Sequence, residues 1–346
     1  MIEKNQFRGH EQLVYFNDEK SGLKTFIAVH NTVLGPGAGG CRMWPYENEM
    51  DALNDVLRLS RGMSYKNAMA GLPLGGGKAV IIANSKNDKT VELFKAFGRC
   101  VQKMDGSYIT AEDVGMTTED MLVIASETDH IAGLPHGDHA SGDPSPFTAR
   151  GVYNGIRAAV KYKLDKDSLE GLTVAVQGVG NVGLSLCENL YRDGVKILVS
   201  DIVKENLDQA VQKYDATIVS TDEILSVECD VLSPCALGAV INDDTIPNLK
   251  TSIIAGGANN QLANDNHGVR LMDRGILYAP DYVINAGGII NVSGETSGNY
   301  DLESINAKID HIYDTLIDIF KRADAEKRPT NVVADEIAEE IIANAK

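Results

Sequence analysis

Between residues 11 and 34 polar and apolar positions alternate around FIAVHNTVLG, a period that predicts strands of a mixed sheet before a glycine-rich turn at 35–40. The period then lengthens. From Glu49 to Lys66, Leu53, Val56, Leu57 and Ser60, with Met63 beyond, recur at spacings of three and four, which places them on one buried face of a helix. LPLGGGKAVIIA reads as a loop entering a strand. Residues 89–104 return to helical spacing through Leu93, Phe94, Phe97, Val101 and Met104. YITAEDVG resembles a strand ending in a charged loop, with Thr117 or Thr118 placed to cap the next helix.

The stretch HGDHASGDPSPFTARG, residues 136–151, interrupts all periodicity and marks a domain boundary. From Leu172 the pattern becomes that of buried parallel strands, TVAVQG, KILVSD, CDVLSP and SIIAGG, each between helical or loop segments. This is a doubly wound α/β arrangement. Ile305, Ile309, Ile312, Leu316 and Ile319 form a core-facing stripe on one helix, and a second, acidic helix follows Pro329.

Composition narrows the classes of function. With 346 residues, 43% of them hydrophobic, the chain has material for two globular domains. Its formal charge of -17 makes nucleic acid an unexpected partner, because a phosphate backbone would meet like charge. Five cysteines (Cys41, Cys100, Cys187, Cys229, Cys235) without a CxxC pair argue for reduced thiols. The first residues lack an apolar core, and no stretch approaches the ~20 apolar residues a membrane span needs, so a cytoplasmic protein is expected.

The first chemical signal is TVAVQGVGNVG. Gly178, Gly180 and Gly183 follow an apolar strand and precede a helix carrying Leu184, Leu186 and Leu190. That context suits a tight turn, a close approach of backbone to pyrophosphate, and close helix–strand packing, with phosphate charge at the helix N-terminus. Asp201, ending KILVSD, stands where an acid accepts hydrogen bonds from the ribose hydroxyls, which favours NAD over NADP, although Lys204 nearby weakens the exclusion.

The second signal lies in the N-terminal half, where Lys66 comes near the end of its helix and Lys78 follows Gly75-Gly76-Gly77. A lysine held beside a second cation and partly shielded from water suits a general base, with Lys66 left to grip an anion. Asp113, in TAEDVG, is a further acid–base candidate or a turn acid. A metal site built on His136-x-x-His139 with Asp138 or Asp143 lacks a ligand-bearing helix, so that segment reads as a polar linker and no metal is expected.

GPGAGGCRMWPY, RLSRGMSYKNAMAGLPLGGGKAVI, AEDVG, VQGVGNVG, SPCALGAVIN, AGGANNQL and ILYAPDYVINAGGIINV together resemble the amino-acid dehydrogenases of the glutamate, leucine, phenylalanine and valine superfamily, the leucine branch most of all. The resemblance implies a substrate and oligomerisation domain at 1–135, with a C-terminal helix at about 327–346 packing back on it, and a Rossmann NAD-binding domain at 136–326. It implies Lys78 as catalytic base, Asp113 as its proton-transfer partner and Lys66 on the substrate α-carboxylate. Backbone at Gly39 and Gly40 would line the substrate. Asn259 or Asn260 would contact carboxylate and nicotinamide. Thr148 resembles a residue contacting the cofactor amide, with Ala236, Leu237 and Gly238 packed against it, and Asn181 and Val182 belong to the glycine turn that holds the nucleotide.

The implied reaction is NAD-dependent oxidative deamination of an L-amino acid to a 2-oxo acid and ammonia, with closure of an interdomain cleft excluding water. By the same resemblance Ala38, Ala111, Ile289 and Val292 line the side-chain pocket. Glutamate dehydrogenases carry a lysine where Ala38 stands, so glutamate is not expected as substrate. Leucine, valine and isoleucine are expected; an aromatic amino acid is the alternative, because Ala38 is smaller than the aliphatic residue usual in leucine dehydrogenases. A non-catalytic NAD-binding regulator is the alternative of another class. The family forms homo-oligomers, often dimers or octamers.

Overall fold

In the computed structural model, which describes residues 9–134, 143–296 and 300–345, the chain divides into two units. The first takes the described residues within Met1–Gly142, Val292–Tyr300 and Ala338–Lys346; the second takes Asp143–Asn291 and Asp301–Ile337. No helix among the described residues is long and apolar enough to cross a membrane.

The first unit is a mixed sheet between helices. Its elements are β1 (Gln12–Asp18), β2 (Leu23–Asn31), β3 (Gly37–Ala38), β4 (Cys41–Trp44), α1 (Glu49–Met69), β5 (Gly75–Ile82), α2 (Val91–Gln102), β6 (Tyr108–Ile109) and α3 (Thr118–Ala125). The strands run in the order β1-β2-β5-β3-β6, with β4 also paired to β5; β2 runs antiparallel to both β1 and β5, and β3 and β4 run parallel to β5. Alternation divides the side chains between two cores. Ile27, Val29, Ala79 and Ile81 join Phe94, Phe97 and Val101 of α2, while Ala28 and Val80 meet Ala52, Leu53, Val56 and Leu57 of α1. Thr117 caps α3 in a reciprocal box with Asp120, whose carboxylate accepts the Thr117 N–H at 2.8 Å.

Two local expectations change. The glycine-rich turn at 35–40 contains β3, and the three glycines expected in a loop form the first part of β5. Their small size serves neighbouring chain segments. A Cβ on Gly75 would fall 1.9 Å from the Asn31 carbonyl, one on Gly76 2.1 Å from Ser64 Oγ, and one on Gly77 2.6 Å from the Tyr108 ring. Any side chain there would push strand from strand or helix from sheet.

The second unit contains α4 (Ser145–Leu164), β7 (Thr173–Gln177), α5 (Asn181–Arg192), β8 (Lys196–Ser200), α6 (Lys204–Tyr214), β9 (Thr217–Ile218), β10 (Val231–Pro234), β11 (Ile253–Ile254), α7 (Asn266–Asp273), β12 (Leu277–Tyr278) and α8 (Asp281–Ile284). Next come α9 (Gly287–Thr296), which runs on into the first unit, α10 (Leu302–Asp310), α11 (Ile312–Glu326) and α12 (Thr330–Asn344). All six strands are parallel in the order β9-β8-β7-β10-β11-β12, a doubly wound sheet whose order reverses between β7 and β10.

Helix α4 begins at Ser145, inside the stretch that sequence pattern left without periodicity, and Asp143 accepts the Ser145 N–H at 2.9 Å at its start. The stripe from Ile305 to Ile319 is shared by α10 and α11, which break at His311. Helix α12 divides between the units at residue 338, and Glu339 accepts a 2.5 Å hydrogen bond from the Tyr65 hydroxyl within the first.

Replacing the fully buried Phe97 by Ala should cost about 3–5 kcal/mol of stability, because a cavity opens beside β2 and β5. Urea denaturation checks this; an unchanged midpoint would show that α2 does not hold this core.

Candidate active site

Strands β3 and β4 lie end to end along β5. Ala38 pairs with Gly76 and Cys41 with Ala79, so Gly39 and Gly40 form a break opposite Gly77 and Lys78. The break admits no side chains: a Cβ on Gly39 would meet the Gly77 carbonyl at 2.1 Å, and one on Gly40 would meet Asp113 Cβ at 2.7 Å. The Tyr108 hydroxyl donates to the Gly39 carbonyl at 2.8 Å, and the Cys41 N–H donates to the Ala111 carbonyl at 2.8 Å. These contacts bring the AEDVG segment against the break.

Lys78 and Asp113 meet there. Lys78 Nζ lies 2.7 Å from Asp113 Oδ2, and the lysine is only 6% exposed. The lysine's nearest charged partner is thus a carboxylate. Arg42, which sequence reasoning did not single out, brings a second cation to the same oxygen, with Nε at 3.4 Å. Lys78 is the close donor to Oδ2, while Arg42 Nε, shut off from water, forms no aligned hydrogen bond there. Burial by itself would raise the Asp113 pKa, but Lys78 and Arg42, helped by the Val114 N–H, hold it down at about 2. An arginine two residues after a glycine pair carries no signal in sequence; strand register delivers it.

Lys66 lies half-buried in the last turn of α1. Ser64, two residues before it, packs on Gly76, two residues before Lys78, which brings the two lysine-bearing segments together. Ala38 is buried in β3, and Ala111 is the neighbour of Thr110, which bridges to Ile131. Glu295 of α9 accepts the Gly133 N–H at 2.6 Å, which ties the end of α9 that bears Val292 to that same segment. Ile289 sits at the opposite end of α9, in the second unit.

In the second unit the turn after β7 meets the end of β10. Gly178 has φ +91°, and a Cβ on it would fall 2.5 Å from Ala236 Cβ. A Cβ on Gly183 would fall 2.1 Å from the Gly178 carbonyl, so the helix seats directly on the turn. Gly180 caps α5 with no side-chain hydrogen bond, which leaves the helix's first amides without a side-chain acceptor, and Asn181 beside it is exposed. Val182 packs toward Gly257. Asp201 accepts the Val179 N–H at 2.7 Å and the Val203 N–H at 2.8 Å, so its carboxylate braces the glycine turn as well as ending β8.

The other candidates of this unit gather around the same switch point. Gly238 packs under the Asn259 and Asn260 carbonyls, while Leu237 is 72% exposed. Asn285 donates to Asn259 Oδ1 at 2.8 Å, and Asn260 takes φ +52°. Thr148 lies against Gly288 at the start of α9. The cradle, the open helix start and the terminal carboxylate fit a dinucleotide. Among the described residues no group of three or more His, Cys, Asp and Glu is placed to hold a metal. His136, Asp138 and His139 lie outside the described residues.

Comparison with known proteins matches residues 10–130 to the Glu/Leu/Phe/Val dehydrogenase dimerisation domain, and residues 198–345 to Glutamate/Leucine/Phenylalanine/Valine dehydrogenase. The leucine dehydrogenase of Bacillus subtilis is 53% identical over 333 residues, covering 96% of this chain and 91% of that protein. The crystal structure of L-tryptophan dehydrogenase from Nostoc punctiforme superposes with a TM-score of 0.85 at 46% identity, covering 98% of this chain and 97% of that one. A glutamate dehydrogenase structure from Thermus thermophilus, at 20% identity and a TM-score of 0.80 over 99% and 90% of the two chains, shares the fold.

Because the Asp113 pKa falls from 3.8 to about 2 on folding, its pairing contributes stability above about pH 4 and loses it as pH drops towards 2. The stability difference between wild type and Asp113→Asn should therefore narrow across that window in thermal melts. A difference independent of pH would mean that the carboxylate's charge contributes nothing.

Proposed function

The chain belongs to the Glu/Leu/Phe/Val dehydrogenase family and is an amino-acid dehydrogenase; from that premise we propose that it catalyses the reversible, NAD-dependent oxidative deamination of leucine, and of valine and isoleucine, to the 2-oxo acid and ammonia. The observation that carries this reading is the buried Lys78–Asp113 pair set at the Gly39–Gly40 break.

Lys66 holds the substrate α-carboxylate, and backbone at Gly39 and Gly40 lines the amino acid. The Asp113 carboxylate, buried beside Lys78, accepts from the substrate nitrogen or from water. The Gly178–Gly183 turn and Asp201 would hold a nicotinamide nucleotide, which would supply the acceptor for the Cα hydride. Lys78, its own proton first passed to Asp113, takes a proton from the water that attacks the resulting substrate iminium carbon, and Asp113 returns the proton it holds to the departing nitrogen. Collapse of that adduct releases ammonia and the 2-oxo acid. Ala38 supports a branched-chain substrate over glutamate: a side-chain carboxylate would meet a buried methyl group. We also read the protein as a homo-oligomer, dimer or octamer, the association itself supported by its match to a dimerisation domain, and as cytoplasmic.

Formation of NADH should be fastest with leucine, valine and isoleucine, slower with phenylalanine and tryptophan, and absent with glutamate; glutamate as best substrate would refute the pocket assignment. Lys78→Ala should lower kcat about a hundredfold or more while NADH binding, followed by fluorescence, stays intact. Asp201→Ala should relax the preference for NAD over NADP, and equal use of both by the wild type would refute the ribose assignment.

A further inference from the structure

The charges around Asp113 continue past it. Arg42 Nη1 donates to Asp55 Oδ2 at 2.9 Å, the Tyr46 hydroxyl donates to the same oxygen at 2.7 Å, and Arg58 Nη2 donates to Asp55 Oδ1 at 3.0 Å. Lys78, Asp113, Arg42, Asp55 and Arg58 thus alternate in sign from the buried pair out to an exposed arginine. Arg42 and Asp55 are mostly buried, with side chains 18% and 15% exposed. Arg42 pairs with Val80 in the sheet register, and Val80 packs on α1. An apolar side chain would fill this place without desolvating a guanidinium, and such replacements of buried charges are often neutral or stabilising. Stability alone does not account for an arginine here.

We propose that Arg42, anchored by Asp55, is a positioning residue that fixes the Asp113 carboxylate for proton exchange with Lys78. The inference rests on the dehydrogenase reading above. Two cations on one oxygen leave the carboxylate little freedom to rotate, and Asp55 with Tyr46 keeps the guanidinium from swinging away. The groups that act on Asp113 are Lys78 of β5, Arg42 and the Cys41 thiol of β4, and the Tyr108 hydroxyl of β6, with Asp55 and Tyr46 behind Arg42 and Asp120 acting on Cys41. Burial keeps Cys41 and Tyr108 neutral, so the positive charge facing the carboxylate is that of Lys78 and Arg42. Without Arg42 the Lys78–Asp113 pair holds a proton more tightly, and activity that needs the pair as proton acceptor fails at a higher pH.

The test compares kcat, KM for leucine and the pH profile of kcat/KM in wild type, Arg42→Gln, Arg42→Lys and Asp55→Asn. Arg42→Gln should lower kcat about tenfold to a hundredfold with KM within about threefold, and move the acidic limb up by about one pH unit. Asp55→Asn should shift both in the same direction by less, and it carries the test if Arg42→Gln does not fold. Arg42→Lys, which keeps the charge and loses the fork, should restore the limb more than the rate. Variants that melt at lower temperature but keep the wild-type kcat and pH profile would overturn the proposal and leave Arg42 a structural residue. A wild type that oxidises no amino acid would overturn the underlying reading, a result distinguishable from the first.

Discussion

A buried charge must be paired, and the first unit is arranged around that requirement. Lys78 emerges from the middle of a central strand, where hydration is lost, so its burial is tolerable only with a carboxylate within reach. Asp113 supplies it, and then itself needs more compensation than one amine provides. Arg42 and Asp55 carry that compensation outward until Arg58 meets solvent. The buried pair and its support form one electrostatic object.

That object exists because glycines let backbone segments approach where side chains would hold them apart. Gly77 yields to the Tyr108 ring, and Gly39 yields to the Gly77 carbonyl. Gly40 lets Asp113 come within contact of the strand break. The second unit uses the same device for another purpose. Gly183 and Gly178 seat helix α5 on its turn, so the positive end of the helix dipole stands where a diphosphate would place its charge.

Much of this was legible in the chain. Alternation exposed β1 and β2, spacing exposed α1 and α2, and the apolar runs of the second half predicted its parallel strands, because in each case burial of one face imposes a period. The glycine turn with its following helix and distal Asp201 was equally clear, since all its parts lie within 24 residues of one another from Gly178. Local patterns of this kind are complete in themselves. The family resemblance drew on motifs of the same local sort.

The rest required tertiary structure. Strand β3 has two residues and no period to detect, and the glycine triplet gave no sign of belonging to a strand, because what excludes its side chains are Asn31, Ser64 and Tyr108 from other segments. The helical stripe at 305–319 ran unbroken in sequence, whereas the backbone breaks at His311. Sequence by itself singled out candidates for the chemistry, Lys78 and Asp113 among them, since residue type and neighbouring motif suffice for that. Only the fold decided that Arg42 would share an oxygen with Lys78, because the strand register that brings positions 42, 78 and 113 together depends on contacts distant along the chain.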